Sequence, residues 1–454
     1  MSDSAAPAST VPAPTVTLAQ ALNEGYAFQS LERARLHSEL ECHPTLSGLG
    51  DALARTHPHL FSATQVFVSE TVIRNIAATV AAIERVAMLP SYQQQAFARV
   101  DPIAQVAHAG AGMFMGYDFH IGPDGPKLIE INTNAGGAFL NAALARAQRH
   151  CCDGLDDLQP ITTTPTDVNR QLTDMFWAEW QLQRGQQPLQ SIAIVDDHPQ
   201  EQYLAPEFEI CRQLLAQRGV TALVVDAVEL TWRDSRLWHG ATRIDMVYNR
   251  LTDFYLTEPG HNALRQAHLN SAVVVSPAPR THALLANKAN LVTLSQPELL
   301  HQLGATPSDR VLLSAVVPRA QRVTPEHADA LWATRRGYFF KPLAGYGSKA
   351  SYRGDKLTRR VWSDILAGEY IAQALVAPGE RRIVINGVAQ NLKYDLRAYS
   401  YAGQVQLLAA RLYAGQTTNF RTVGGGFAPV MVPPDPVLGE APFTVREPQQ
   451  SDAR

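Results

Sequence analysis

The chain has 454 residues, a formal net charge of −3, 46% apolar residues and 18% charged residues. That length exceeds what one hydrophobic core normally serves, so several domains are expected, and the apolar content excludes a disordered chain. The near-balanced charge gives no electrostatic case for nucleic acid or an anionic membrane surface as a partner.

Residues 1–15 are rich in Ala, Pro, Ser and Thr and lack the basic and apolar regions of a signal peptide, so they read as a frayed tail. No stretch approaches the roughly 20 apolar residues that span a bilayer. The four cysteines, Cys42, Cys151, Cys152 and Cys211, show no metal-ligand spacing and no disulfide framework. A cytoplasmic protein is the expectation.

In chain order, the first block covers 16–165. It opens with helical patterning, in which Val72, Ile73, Ile76, Val80, Ile83 and Ala87 share one face and Pro90 ends the run. Two strand-like runs, MFMGYDFHI and KLIEI, flank a GPDG turn and predict a β-hairpin. A polar segment, Asn132 to Gly137, then leads into a helix over 138–148. After a Thr/Pro/Asp-rich linker, the block 190–285 alternates strands (SIAIV, ALVVD, IDMVY, AVVVS) with helices at 206–217 and 260–268. That rhythm predicts a parallel α/β sheet. The block 286–432 reads as α+β. GYFFKP runs into a Gly-rich loop, and EYIAQALV, RRIVIN, YDLRAYSY and QVQLLAARLY are further strands, with turns at NGVAQ and YAGQ. Residues 433–454 are Pro-rich and polar and read as a loose tail.

Four constellations can carry chemistry. Glu130 and Asn132 leave one face of a strand, and Asp118 on the partner strand can face them. Two carboxylates and an amide oxygen make an all-oxygen site suited to Mg²⁺ with bound phosphates, and a solvated strand face would read the same way. Lys341 precedes a glycine-rich loop (AGYGSKA, 344–350) whose backbone N–H groups can turn toward an anion, as they can in an ordinary turn. EYIAQALVAPGE ends a strand in a connector fit to meet an adenine edge, with Glu380 able to accept from ribose hydroxyls. Arg397, Arg411 and Arg421, interleaved with Asp395 and Asn419, offer cations for a transferring phosphoryl group or simply a surface ion-pair network.

In this combination and order the segments resemble the ATP-grasp superfamily, and specifically its circularly permuted, glutathionylspermidine-synthase-like group. The resemblance spans about residues 110–430 and rests on joint occurrence. It implies an α/β and α+β fold, an ATP-grasp in circularly permuted order with a central parallel α/β, pre-grasp-like domain. The hairpin half would bind metal, and the 286–432 half, with its Gly-rich lid loop, would bind nucleotide. Position by position it implies Lys288 and Lys341 as nucleotide lysines, and Gly345, Tyr346, Gly347 and Ser348 as the closing loop. Gln373, Ala374, Leu375 and Val376 would be the adenine hinge and Glu380 the ribose acid. Asp118, Glu130 and Asn132 would ligate Mg²⁺, and Asn134 would approach substrate. One departure stands out: related enzymes carry an arginine where this chain has Gly116, a charge that Arg397, Arg411 or Arg421 would have to supply. The implied activity is an ATP- and Mg²⁺-dependent ligase joining small-molecule carboxylate and amine substrates through an acylphosphate. A small-molecule kinase, or nucleotide binding without turnover, remains open. Asn249 and Arg250 could hold a substrate carboxylate or simply pair at a strand end.

Overall fold

In the computed structural model the described residues are 17–25, 31, 33–41, 46–148, 159–160, 168–343, 345 and 350–433. The expected hairpin is present: Met115–Gly122 pairs antiparallel with Gly125–Asn132. Its turn needs a left-handed residue, and Gly125 takes it at φ +88 without a Cβ penalty.

The hairpin does not stand alone. Met115–Gly122 pairs on its other edge with Val388–Tyr401, a strand more than 250 residues later, which in turn pairs with Gln404–Tyr413 and Gly379–Ile385. Gly426–Ala428 completes a sheet of six strands. Its two late hairpins close on Asn386-Gly387 and Ala402-Gly403, both residues of each pair at positive φ, the turn whose twist matches the flanking strands. The strands from 379 to 428 therefore join the early hairpin. The sheet that carries Lys341 is separate and antiparallel, ordered Ala320–Arg322, Tyr370–Ala374, Tyr338–Pro342, Tyr352–Arg353.

Side-chain alternation buries both faces of the six-stranded sheet. Leu396, Ala398, Leu408, Ala410 and Leu412 pack with the helix Glu70–Ala87, which Ser69 caps by accepting from the Val72 N–H. Pro90, expected to end this helix, instead opens the next one, Pro90–Phe97. The first helix stops at Ala87, and a residue without an N–H is tolerated at the first helical position, where no partner is required. On the opposite face Tyr399, Leu407 and Ala409 pack toward helices Ala138–Gln148 and Val168–Arg184.

The central block is a four-stranded parallel sheet ordered Val274–Ser276, Met246–Asn249, Ser191–Asp196, Thr221–Asp226. A small antiparallel sheet, Leu230–Arg233, Arg236–His239 and Thr242–Arg243, follows it in a stretch to which periodicity assigned nothing. Its signal was the Asp234-Ser235 turn, both residues at positive φ. No helix among the described residues is long and apolar enough to cross a membrane.

At one edge of this block His261 is sandwiched, one ring nitrogen 2.8 Å from Asp253 and the other 2.8 Å from Asp197. Burial alone would lower the imidazole's pKa, but the two carboxylates carry it up to about 9. Both ring nitrogens are engaged by carboxylates, and Glu258 lies close by. Because the folded pKa is raised, the stabilisation is fully present below about pH 6.5 and is lost as pH rises through about 9. Thermal unfolding followed from pH 7 to 10 should therefore show a steeper alkaline fall in Tm for the wild type than for His261→Gln. Parallel curves would show that His261 is not charged in the fold.

Candidate active site

Alternation along Val388–Tyr401 puts Asp395, Arg397 and Tyr399 on one face, and Arg411 arrives beside them because it pairs opposite Asp395. Asp118 lies opposite Arg397 across the hairpin edge. The result is a buried cluster. Arg397 grips Asp118 with two parallel bonds, Nε to Oδ1 at 2.7 Å and Nη2 to Oδ2 at 2.8 Å. Arg411 reaches Asp118 Oδ2 at 2.9 Å and Asp395 Oδ1 at 2.6 Å, and Thr418 donates to the other Asp395 oxygen. Asn132 Nδ2 donates to Asp118 Oδ2 at 3.0 Å. Burial would raise the Asp118 pKa, but Arg397 and Arg411 hold it well below the usual carboxylate range.

Asp118 thus receives four donors, about the full capacity of a carboxylate. Asp118, expected to ligate a metal, has its oxygens facing two guanidiniums and the Asn132 amide here. Glu130 differs. It is a quarter exposed and faces one cation, Lys288 Nζ at 3.0 Å. Lys288 also donates to the Gly345 carbonyl at 2.7 Å, which ties it to the start of the glycine-rich loop. Tyr346, Gly347 and Ser348 lie outside the described residues.

Lys341 is 5% exposed, and its Nζ donates to the Ile129 carbonyl at 2.6 Å and to Gln373 Oε1 at 2.7 Å. Burial pulls its pKa down to about 8, with Glu130 opposing the shift and Lys288 adding to it. Gln373 is held at both ends, since its Nε2 donates to the Leu128 carbonyl at 3.3 Å. Leu375 gives its N–H to the Gly337 carbonyl, and the Val376 carbonyl accepts from His120 Nδ1, which fixes the proton on that nitrogen.

These groups converge on one cavity of about 440 Å³. Asp118, Glu130, Asn132, Asn134, Lys288, Lys341, Gly345, Gln373, Ala374, Leu375, Val376, Arg397 and Arg411 all line it. Two predicted residues do not. Glu380 is exposed on Gly379–Ile385 and accepts from Asn391 Nδ2 at 3.0 Å, and Arg421 is exposed on the loop after Gln404–Tyr413. Asn249 and Arg250 are also absent from the lining. Arg250 is buried, donating to the Asn134 carbonyl and to the Tyr248 hydroxyl, while the Asn249 side chain donates to the Pro277 carbonyl. The strand-end pairing is therefore the role the structure supports.

Gly116 has a structural counterpart. A Cβ built there would lie 3.5 Å from Arg397 Nε and 2.5 Å from the Ala135 Cβ. The Ala135 Cβ leaves no space for a side chain on Gly116, and the Arg397 guanidinium from the neighbouring strand runs beside that position. Residues that motif reasoning missed include His120 and His282. His282 stacks on Phe254 at a 3.9 Å centroid distance and bonds Thr133 Oγ1 through Nδ1 at 2.7 Å. Burial lowers its pKa to about 3, so it is neutral. No local pattern announces it, because its partners come from two segments distant in sequence.

No protein-family model matches the chain, and no curated protein does either. Among solved structures, it is similar to the apo form of a glutathione synthetase-like effector (GSS30) from Globodera pallida. That match has 12% identity and a TM-score of 0.53, covering 82% of this chain and 90% of that one. A putative gamma-glutamylcysteine synthetase from Methylobacillus flagellatus KT matches at 9% identity and TM-score 0.47, covering 81% and 90%. The ATP-grasp ligase PsnB with its minimal precursor matches at 19% identity and TM-score 0.26, covering 50% and 78%. At such identities the likeness speaks to fold, and the first match carries it over most of both chains. The fold is similar to that of the glutathione synthetase-like effector.

The buried cluster makes a direct prediction. Asp118→Asn keeps shape but leaves Arg397 without its carboxylate and Arg411 with Asp395 alone, and breaking a buried ion pair from one side typically costs about 3 kcal/mol or more. Urea unfolding should register that loss, and a change under about 1 kcal/mol would mean the arginines are held by other partners. Gly116→Ala should also destabilise, and adding Ala135→Gly should recover much of the loss in the same assay, since the crowding atom is the Ala135 Cβ.

Proposed function

We propose that the chain is an ATP- and Mg²⁺-dependent ligase that joins a carboxylate to an amine, on an ATP-grasp in circularly permuted order whose 190–285 block is the pre-grasp-like domain. The observation that carries this reading is the convergence of Lys288, Lys341, Arg397 and Arg411 with Glu130 and Asn132 on one cavity, from segments at both ends of the described chain. Four cations in a partly desolvated cleft suit a triphosphate, and two neighbouring hard oxygens suit the ion that accompanies it.

Glu130 and the Asn132 amide oxygen fit Mg²⁺, which commonly takes one or two protein ligands and fills the rest with phosphate and water. Bound there, the ion would neutralise charge on the transferring phosphoryl group. Lys341 would hold the inner phosphates, Lys288 and the backbone from Gly345 onward the outer ones, and Gln373 to Val376 the adenine edge. Arg397 and Arg411, fixed by Asp118, would stabilise the charge that develops as the γ-phosphoryl moves. Glu380 and Arg421 take no part in this reading.

A carboxylate is a poor electrophile, since its charge is delocalised and oxide is a bad leaving group. Attack of a carboxylate oxygen on the γ-phosphorus breaks the bond to ADP and gives an acylphosphate. The amine nitrogen then adds to the acyl carbon, phosphate departs with the C–O bonding electrons, and the amine proton passes to solvent. The protein contributes position, fixed cations and exclusion of water.

ADP release should require acid and amine together, and screening amino acids and polyamines in pairs tests this. ADP formed with one hydroxyl substrate and no amine would make the protein a kinase, and ATP binding with no ADP under any pairing would leave a binding protein. Glu130→Ala and Asn132→Ala should each abolish ADP formation while keeping the native circular dichroism spectrum. Lys341→Ala should weaken ATP binding by at least about tenfold in a titration; wild-type affinity there would remove Lys341 from the nucleotide site.

A further inference from the structure

A second cavity, of about 510 Å³, shares none of its lining residues with the first. Its walls come from helix Glu70–Ala87, the 108–111 loop, residues 280–285 and the hairpin turn at Ala402-Gly403. Ala81, Ala87, Leu284 and Leu285 make much of the lining apolar. Against it stand one carboxyl, Glu84, and two guanidiniums, Arg280 and Arg85, of which Arg85 is already paired with Asp309. The volume lies in the range of small-molecule sites.

Among the described residues, neither Glu84 nor Arg280 is met by an opposite charge. Glu84 accepts from the Tyr117 hydroxyl at 3.3 Å and from the Gly403 N–H, and among the described residues it makes no ion pair. Burial, only partly offset by those bonds, raises its pKa to about 7. Arg280 donates to Gln93 Oε1 at 2.8 Å and rests over the Phe97 ring, 4.6 Å from its centroid, with no carboxylate partner among the described residues. A third group, His108, has its Nε2 buried and without a hydrogen-bond partner. Its other ring nitrogen accepts from the Gly110 N–H at 3.1 Å.

Holding a desolvated carboxyl and a fixed guanidinium in one cavity without pairing them costs free energy, which a molecule bearing both opposite charges would recover. We infer that this cavity binds an amino-acid-sized zwitterion, its ammonium on Glu84, its carboxylate on Arg280 and its aliphatic part against Leu284 and Leu285. A simple carboxylic acid or a simple amine answers only half of the lining.

One segment separates the two cavities. Thr281, Leu284 and Leu285 line this one, and His282 and Ala286 line the other. His282–Ala286 is a π-helical turn, a form that concentrates at functional sites, and Lys288 lies two residues beyond its end. Tyr117, which bonds Glu84, also precedes Asp118 on the same strand. A ligand here is therefore placed to act on the nucleotide site, although the binding inference itself does not depend on the nucleotide reading.

The test is calorimetric titration and thermal unfolding of the full chain with L-alanine, L-leucine, L-glutamate and L-lysine, with propionate and propylamine as single-charge controls. At least one amino acid should bind saturably and raise Tm by about 2 °C or more, while both controls do neither. Glu84→Gln and Arg280→Gln, each checked for the native circular dichroism spectrum, should weaken that binding at least about tenfold, and Lys341→Ala should leave it intact. Failure of all four amino acids to bind overturns the inference. So does wild-type affinity in both cavity variants, or binding lost only in Lys341→Ala, which would place the ligand in the nucleotide cavity.

Discussion

The grip of Arg397 and Arg411 on Asp118 is the constraint on which the rest of the site depends. Two guanidiniums and a carboxylate at this depth are affordable only if every lone pair and most N–H groups find partners. Asp118 meets that demand with four donors drawn from three strands. The register of the hairpin against Val388–Tyr401 is fixed by the same contacts, since a slip of one residue would turn Asp118 away from Arg397 and toward the apolar face. Charge placement and strand alignment are thus one structural fact.

The cavity is also held from the side of the parallel sheet. Glu207 on helix Ala205–Gln217 accepts the N–H groups of Gly137 and Phe139, at the start of helix Ala138–Gln148. Arg250 reaches the Asn134 carbonyl, Asn134 Nδ2 donates to the Leu251 carbonyl, and Tyr399 donates to the Gly136 carbonyl at 2.8 Å. The turn between Asn132 and the helix therefore has its polar groups engaged by two different sheets. Such a turn moves little, so Asn132 and Glu130 are presented from a rigid base while Lys288 and Gly345 sit next to the glycine-rich loop.

Much of this was legible in the sequence because it rests on short-range pattern. The GPDG turn, the alternation in YDLRAYSY and QVQLLAARLY and the apolar runs of the parallel sheet each predict an element without reference to the rest of the chain. Glu130, Lys341, Arg397 and Arg411 could be picked out by residue type, and the fold brings them to one cavity, while Arg421 stays outside it. What was not legible depends on which strands meet. Asp118 has the residue type of a metal ligand, and only the strands Val388–Tyr401 and Gln404–Tyr413 reveal that it also holds two arginines. Glu380 fails for a similar reason: pairing with Lys393 leaves it exposed and outside the cavity lining. Glu84 and Arg280, remote in sequence and in no motif, acquire meaning only from the space between them.

The joining of residues 115–122 to residues 388–401 has a consequence for how the chain comes to be folded. While the ribosome is still adding the central and lysine-bearing segments, the early hairpin has one unsatisfied edge and an aspartate without counter-ions. Its partner strand exists only after nearly 400 residues have been made. At ordinary elongation rates of about 5–20 residues per second, that interval lasts tens of seconds. Through it the nascent protein carries an open β-edge that other chains can extend, which makes synthesis, more than the finished molecule, the stage at which this protein is exposed to misassembly.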